Sequence, residues 1–368
     1  MENARITLKR VLQNRPERSL ILVGLRGVGK TVLLNRINQL ADDENFLSEF
    51  VEAHEGKTLP ELLIPFLRSS LYKLSTTENA KEMARKGLRA LKGFVNSIKF
   101  SVNQIEIGLS IEPEIGTADS GDLEADLPEL FLIIGKAAKA ANKSIIILID
   151  ELQYLSADEF SALIMSIHKV NQNNLPILLI GAGLPQILGL AGNSKSYAER
   201  LFRFPEIGAL TDEDAIKAIR NPAASEGVTF DDEAVSEILR LTQKYPYFLQ
   251  QWAYESWNIA SGTNIEKADV VNATDLAVAE LDQSFFKVRF DRCTPSEKRY
   301  MRALADFGEG AHRSGDIAEK LGVKSQSVAP TRSALIKKGM IYSPSHGDTA
   351  FTVPMFHDYM IRVMPSID

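Results

Sequence analysis

The chain has 368 residues, 45% of them hydrophobic and 24% charged, with a formal net charge of −6 and one cysteine. This supplies core for roughly two to three domains, and it excludes wholesale disorder and an overall electrostatic design for nucleic acid or anionic membranes. With Cys293 alone, an intrachain disulfide and a cysteine-based zinc site are excluded too.

In chain order, Met1–Arg10 lacks an apolar core of signal-peptide length, and no run reaches the ~18–20 apolar residues of a membrane span. The expectation is a soluble, cytoplasmic protein. Ser19–Val23 (SLILV) reads as a buried parallel strand, followed by glycines and then a helix with apolar positions 32, 33, 34, 37 and 40. A second strand is expected at Phe50–Ala53 and a helix around Leu59–Leu74. Residues 75–121 read as an insertion: a basic amphipathic helix at Asn79–Lys99, then alternation from Phe100 to Ile111 that suits an edge strand. It is either surface elaboration or a partner surface. Asp122–Ala141 is a helix, Ser144–Ile149 the most apolar strand, Ala157–Asn171 a helix, and Leu175–Ile180 another buried strand. Strand–helix alternation predicts an α/β parallel sheet covered on both faces.

From Leu210 the strand signal vanishes, and Asp212–Arg220, Asp231–Gln243 and Tyr247–Ala260 read as a small all-α lid. Its packing falls to Tyr247, Phe248, Trp252 and Trp257. Thr294 and Glu297 are spaced as a capping box with Pro295 in the first turn. Helices follow at Gly315–Leu321 and from Ser325 to Lys338, then strand-like Met340–Tyr342 and Ala350–Val353. That order is the order of a winged helix-turn-helix. The expected domains are a core at 1–209, a lid and linker at 210–290, and a winged helix at 291–368.

Gly24-Leu-Arg-Gly-Val-Gly-Lys30-Thr31 satisfies the phosphate-loop pattern between a strand and a helix. Its glycines, Gly24, Gly27 and Gly29, let the backbone aim N–H groups at phosphate oxygens, and Arg26, Val28 and Val32 are further candidate nucleotide contacts. Lys30 is placed to reach the β- and γ-phosphates of ATP, and Thr31 to hold Mg²⁺. The strand ending at Ile149 delivers Asp150 and Glu151 to the carboxyl edge of the sheet. Asp150 suits the magnesium shell, and Glu151 can orient and deprotonate an attacking water. The competing account has Asp150 capping a helix and Glu151 merely solvated.

GLRGVGKT at 24–31, IDELQ at 149–153, a helical lid and a winged helix together resemble an AAA+ ATPase. The resembling group holds the origin-recognition initiator ATPases, the archaeal P-loop ATPases and the STAND signalling ATPases. The resemblance implies that Lys30, Thr31, Asp150 and Glu151 serve nucleotide, metal and hydrolysis. Three points depart from the family pattern or match it only weakly. The strand after the acidic pair ends Ile180-Gly181-Ala182-Gly183, without the usual polar sensor. Arg200 and Arg203 lie where a subunit-bridging arginine is expected, or are solvated helix residues. Pro246 follows a lysine where STAND lids carry Gly-x-Pro, and is either near adenine or a plain helix-start proline.

From Glu297 to Met340, nine basic and five acidic residues leave a local +4. Ser325, Gln326, Arg332, Lys337 and Lys338 are candidates for duplex DNA contact, against a winged helix that binds protein instead. A homo-oligomer fits either reading, and no membrane is implied. His346 and His357 have no metal spacing, and Cys293 reads as structural. The leading expectation is an ATP-driven switch on DNA; the second is a STAND-like signalling or defence switch with slow turnover. Against a P-loop GTPase or kinase, the chain has no Asn-Lys-x-Asp guanine motif and the lid-plus-wing order fits poorly.

Overall fold

The apolar strands expected from the sequence are buried from end to end, which is what a parallel sheet covered on both faces demands. The structure, a computed structural model, describes residues 1–13, 15, 17–98, 112–194 and 198–367. The alternating stretch expected at 100–111 lies outside the described residues. The chain divides into two units, Met1–Val23 with Lys30–Glu206, and Gly24–Gly29 with Ile207–Asp368.

In the first unit the elements are α1 (Glu2–Leu12), β1 (Ser19–Val23), α2 (Lys30–Asp43), β2 (Leu47–Glu52), α3 (Leu59–Lys73), α4 (Glu78–Ser97) and α5 (Leu123–Ala140). They continue with β3 (Ile145–Asp150), a 3-10 turn (Leu152–Tyr154), α6 (Ala157–Gln172), β4 (Ile177–Gly183), α7 (Ile187–Ser194), α8 (Ala198–Leu201) and β5 (Phe202–Arg203). The sheet order is β2-β3-β4-β1-β5 and every pairing is parallel. Register pairs Val23 with Gly183 and Ile149 with Gly181, so β1, β3 and β4 end at one edge. That edge is where α/β sheets present functional side chains. The second strand starts earlier than expected, because Leu47 donates its N–H to Ser144 and pairing begins there. Capping boxes at Thr58/Glu61 and Ser156/Glu159 fix the starts of α3 and α6.

The second unit holds α9 (Asp212–Ser225), β6 (Thr229–Phe230), α10 (Asp232–Thr242), α11 (Pro246–Ile259), β7 (Asn264–Ile265), α12 (Lys267–Glu280), a π-helical turn (Leu281–Phe286) and α13 (Lys287–Asp291). Then come α14 (Pro295–Ala305), β8 (His312–Arg313), α15 (Ser314–Lys320), α16 (Ser325–Lys337), β9 (Ile341–Tyr342), β10 (Asp348–Phe351) and α17 (Phe356–Val363). The strand signal does not vanish entirely after Leu210: β6 pairs β7, a two-residue pairing too short to leave a pattern. The last three strands form an antiparallel sheet in the order β8-β10-β9. α14 starts on the expected capping box at Thr294 and Glu297 with Pro295 in its first turn. α12 was not foreseen, since its apolar residues favour no single face. One hydrophobic cluster runs from Ala215 to Met360, and the ring of Phe286 meets Phe356 at 5.7 Å and Tyr359 at 5.2 Å. The helices expected as a lid and the elements after Thr294 therefore share one core.

Candidate functional site

β1 and β3 are held by burial, so whatever follows each strand is placed by the sheet. In the first unit, Lys30 and Thr31 open α2, and Lys30 is 7% exposed. Asp150 is the last residue of β3 and is 2% exposed. The Thr31 hydroxyl donates to Asp150 Oδ2 at 2.5 Å, joining two positions 119 residues apart in sequence. Burial pushes the Asp150 carboxyl above its usual range, opposed by hydrogen bonds from Thr31 and from the Glu151 N–H and by the charge of Lys30. A buried carboxylate with a hydroxyl beside it offers oxygen donors to a hard divalent cation, while the nearby lysine, a cation itself, suits an anion.

Glu151 sits in the left-handed region at φ 55°, a conformation that costs a non-glycine residue about 1–2 kcal/mol. The strain is held by its N–H, which donates to Asp150 Oδ1 at 2.8 Å. Asp150 therefore does not cap α6; Ser156 does, accepting from the Glu159 N–H. Gln153 meets both the Glu151 carboxylate and the chain just past β4: its Nε2 donates to Glu151 Oε2, and its Oε1 accepts from the Leu184 N–H at 3.1 Å. Gln153 closes the IDELQ motif, but sequence reasoning assigned it no role, because the contact that defines one lies just past the neighbouring strand.

Arg200 is exposed at the end of α8. Arg203 is tied to Glu17 at 2.8 Å, whose carboxylate also pairs with Arg10 at 2.9 Å. Val32 is 70% exposed on the first turn of α2.

The remaining motif residues belong to the second unit. Gly27 and Gly29 adopt φ +81° and +86°, which side-chain-bearing residues avoid, and a Cβ on Gly29 would meet nothing within 4 Å. At Gly24 the constraint is space, since a Cβ would lie 2.1 Å from the Ile207 carbonyl oxygen. Arg26 donates its N–H to Thr352 O at 3.0 Å, and its Nε reaches Gly339 O at 3.4 Å. Val28 is buried, and Gly27 O accepts from the Tyr247 N–H at 3.2 Å. Pro246 occupies the first turn of α11, and the next ring, Tyr247, stacks on Phe285 at 4.5 Å. Arg26 and Tyr247 line a cavity of about 300 Å³ with Phe285, Arg289, Arg292 and Lys338. Arg289 and Arg292 carried no signal in the sequence; Arg289 lies on α13 and Arg292 directly follows it. Of the four residues read as packing, Phe248 and Trp252 are buried, while Tyr247 and Trp257 are partly exposed at 40% and 36%.

Among the DNA-contact candidates, Ser325, Gln326 and Lys337 are exposed on α16. Arg332 instead donates to Thr349 Oγ1 at 2.9 Å, Ser343 Oγ at 2.7 Å and Asp348 O at 2.7 Å. Lys338 Nζ donates to Glu297 Oε2 at 2.7 Å and to Arg292 O at 3.0 Å. Both are occupied in joining parts of the second unit. Cys293 is buried, which pushes its thiol up to about 11, and His357 Nε2 lies 3.2 Å from Asp358 Oδ1. Among the described residues there is no cluster of three or more His, Cys, Asp or Glu side chains able to hold a metal, and no helix long and apolar enough to cross a membrane.

Residues 13–187 match the family model of an AAA domain, and residues 283–360 match a domain of unknown function (DUF8462). A comparison with curated proteins gave no match. Among solved structures, the Orc1 protein of Aeropyrum pernix in complex with DNA is 15% identical with a TM-score of 0.49, covering 99% of this chain and 91% of that one. Cdc6p of Pyrobaculum aerophilum is 14% identical with a TM-score of 0.48, covering 98% and 92%. The RuvB Holliday junction branch migration motor of Thermotoga maritima is 13% identical with a TM-score of 0.45, covering 95% and 91%.

Proposed function

From its resemblance to the AAA+ P-loop ATPases and its AAA-domain match, we propose that this chain binds ATP with Mg²⁺ and hydrolyses it, acting as a nucleotide-dependent switch whose C-terminal winged helix binds duplex DNA. The observation that carries the nucleotide half is the Thr31–Asp150 hydrogen bond, which brings hydroxyl and carboxylate to one point beside Lys30. These residues fit the cation: the carboxylate is buried, and a hydroxyl shares it. Bound there, Mg²⁺ would offset charge on the phosphate oxygens. Lys30 would hold the β- and γ-phosphates, the backbone N–H groups of the glycine-rich loop would cradle them, and Glu151 would orient and deprotonate the attacking water. Lys30→Ala should lose ATP binding, whereas Glu151→Gln should keep binding and lose turnover. Hydrolysis at the native rate by Glu151→Gln would remove Glu151 from the role of base.

For the DNA half, support comes from the order α14, β8, α15, α16, β9, β10 and from exposed Ser325, Gln326 and Lys337. With Arg332 and Lys338 engaged internally, contact falls to the exposed residues, including Lys324 at the start of α16. The double variant Lys324→Ala, Lys337→Ala should weaken salt-dependent duplex binding. No binding by the native chain sinks this half.

One observation favours the STAND-like reading. The Arg26 N–H, within the phosphate motif, is engaged by the Thr352 carbonyl of the C-terminal segment, a direct link between loop and readout module. Sizing the protein with and without ATP–Mg²⁺ and a random duplex separates the two. Assembly on ATP without DNA supports the signalling switch; assembly that needs duplex supports the DNA switch.

A further inference from the structure

The end of β4 carries glycine where a polar side chain is expected, and the geometry explains why. A Cβ on Gly181 would lie 2.3 Å from Leu152 Cδ1, and one on Gly183 would lie 3.2 Å from Gln153 Oε1 and 3.6 Å from Leu152 Cβ. The 3-10 turn after β3 therefore packs down onto the end of β4, and Gln153 brings its amide to the place that a side chain on Gly183 would take. Its orientation is fixed chemically. The Leu184 backbone N–H can only donate, so Oε1 faces it, and Nε2 is left facing the Glu151 carboxylate. Glu151 is thus held at its backbone by Asp150 and at its side chain by Gln153.

We propose that Gln153 is the positioning residue for Glu151, supplying from the turn after β3 the polar group that the glycine-rich end of β4 lacks. The inference rests on the reading of Glu151 as the base. A carboxylate oxygen offers two lone-pair sites, so a carboxylate taking one N–H from Gln153 keeps capacity to accept the proton of a water. The amide selects one rotamer of a long side chain and makes its direction independent of solvent. It also accounts for the two glycines: Gly181 makes room for Leu152, and Gly183 makes room for the Gln153 amide.

Two variants separate positioning from simple anchoring. Gln153→Leu removes both hydrogen bonds at similar size. Gln153→Glu keeps an acceptor for the Leu184 N–H, loses the donor to Glu151 and adds a charge that repels it. That repulsion moves the acidic limb of the kcat–pH profile upward, whereas lost positioning lowers its plateau. Steady-state ATP hydrolysis and ATP affinity would be measured on the full chain, with native and Glu151→Gln proteins alongside and thermal unfolding to confirm the fold. Both variants should lose kcat on the order of 10- to 100-fold while ATP affinity stays within about twofold of native. An anchoring role alone would leave Gln153→Glu at the native rate, and that result overturns the proposal. So does a parallel loss of affinity and kcat in both variants, which marks collapse of the site. Should the native chain bind ATP without turnover, the hydrolysis reading fails and the role of Gln153 fails with it. Should Glu151→Gln alone be inactive while both Gln153 variants match native, only the role of Gln153 fails.

Discussion

Arg332 separates a structural account of the C-terminal segment from a nucleic-acid one. Its guanidinium joins α16 to the β10 region through Thr349 Oγ1, Asp348 O and Ser343 Oγ. A net hydrogen bond contributes about 0.5–1.5 kcal/mol. Ser343 is exposed, so water replaces that bond at little cost, whereas Thr349 is fully buried. Counting the Thr349 and Asp348 bonds at about 1 kcal/mol each, Arg332→Ala should destabilise the second unit by about 2 kcal/mol. Thr349 keeps the Ser314 hydroxyl at 3.0 Å, so its oxygen is not wholly orphaned and the figure should not go much higher. Arg332→Lys keeps the charge but loses the planar fork, and should forfeit about half of that stability. Urea unfolding followed by tryptophan fluorescence suits the measurement. Both tryptophans, Trp252 and Trp257, lie in the second unit, and Trp252 belongs to the same hydrophobic cluster as the C-terminal residues. A phosphate-contact role predicts the reverse pattern: stability unchanged in both variants, duplex binding lost in Arg332→Ala and kept in Arg332→Lys. An unfolding midpoint in Arg332→Ala within about 0.2 M urea of native, with native slope, would refute the clamp.

Gly24→Ala should be severe whatever the nucleotide state, because the new methyl meets a backbone carbonyl at 2.1 Å and not a yielding side chain; about 1–3 kcal/mol of instability is expected by thermal unfolding. Thr31→Val keeps the shape of the side chain and removes the hydroxyl, so Mg²⁺-dependent ATP affinity should fall about tenfold, read by titration calorimetry with and without the cation. At Glu297, burial raises the carboxyl, but hydrogen bonds from Lys338 and Thr294 outweigh it and hold the group below its ordinary value of 4.5. A depressed folded-state value means its contribution is fully present above the unfolded value and is lost as pH falls through the folded one. Stability of the native chain should therefore drop more steeply than that of Glu297→Gln between about pH 5 and pH 3, measured by denaturant unfolding.

Much of the candidate site could be read before the fold. Gly24–Thr31 and Asp150-Glu151 declared themselves because each chemistry needs particular residue types at fixed spacing between elements of fixed type. The buried strands were legible for the same kind of reason: a sheet covered on both faces leaves no polar side, so Ile145–Ile149 and its neighbours are unbroken apolar runs. β6 and β7 were invisible, since two residues carry no period, and α12 hid because apolar residues all around a helix leave no stripe. Arg332 and Lys338 were misleading in another way. A charge count treats every cation alike, while in the fold both are occupied by neighbours.

The sequence by itself determined which chemical groups are present and which strand and helix each one ends or begins. That much is local, set by hydrophobic runs and by backbone torsions that only glycine takes easily. Tertiary structure alone decided which groups meet. It brought Thr31 to Asp150 across 119 residues, committed Arg332 to Thr349 and Asp348, and set Gln153 over a strand end where Gly183 makes room for it. Packing fixes those encounters, and packing is a property of pairs of elements that no single stretch of sequence contains.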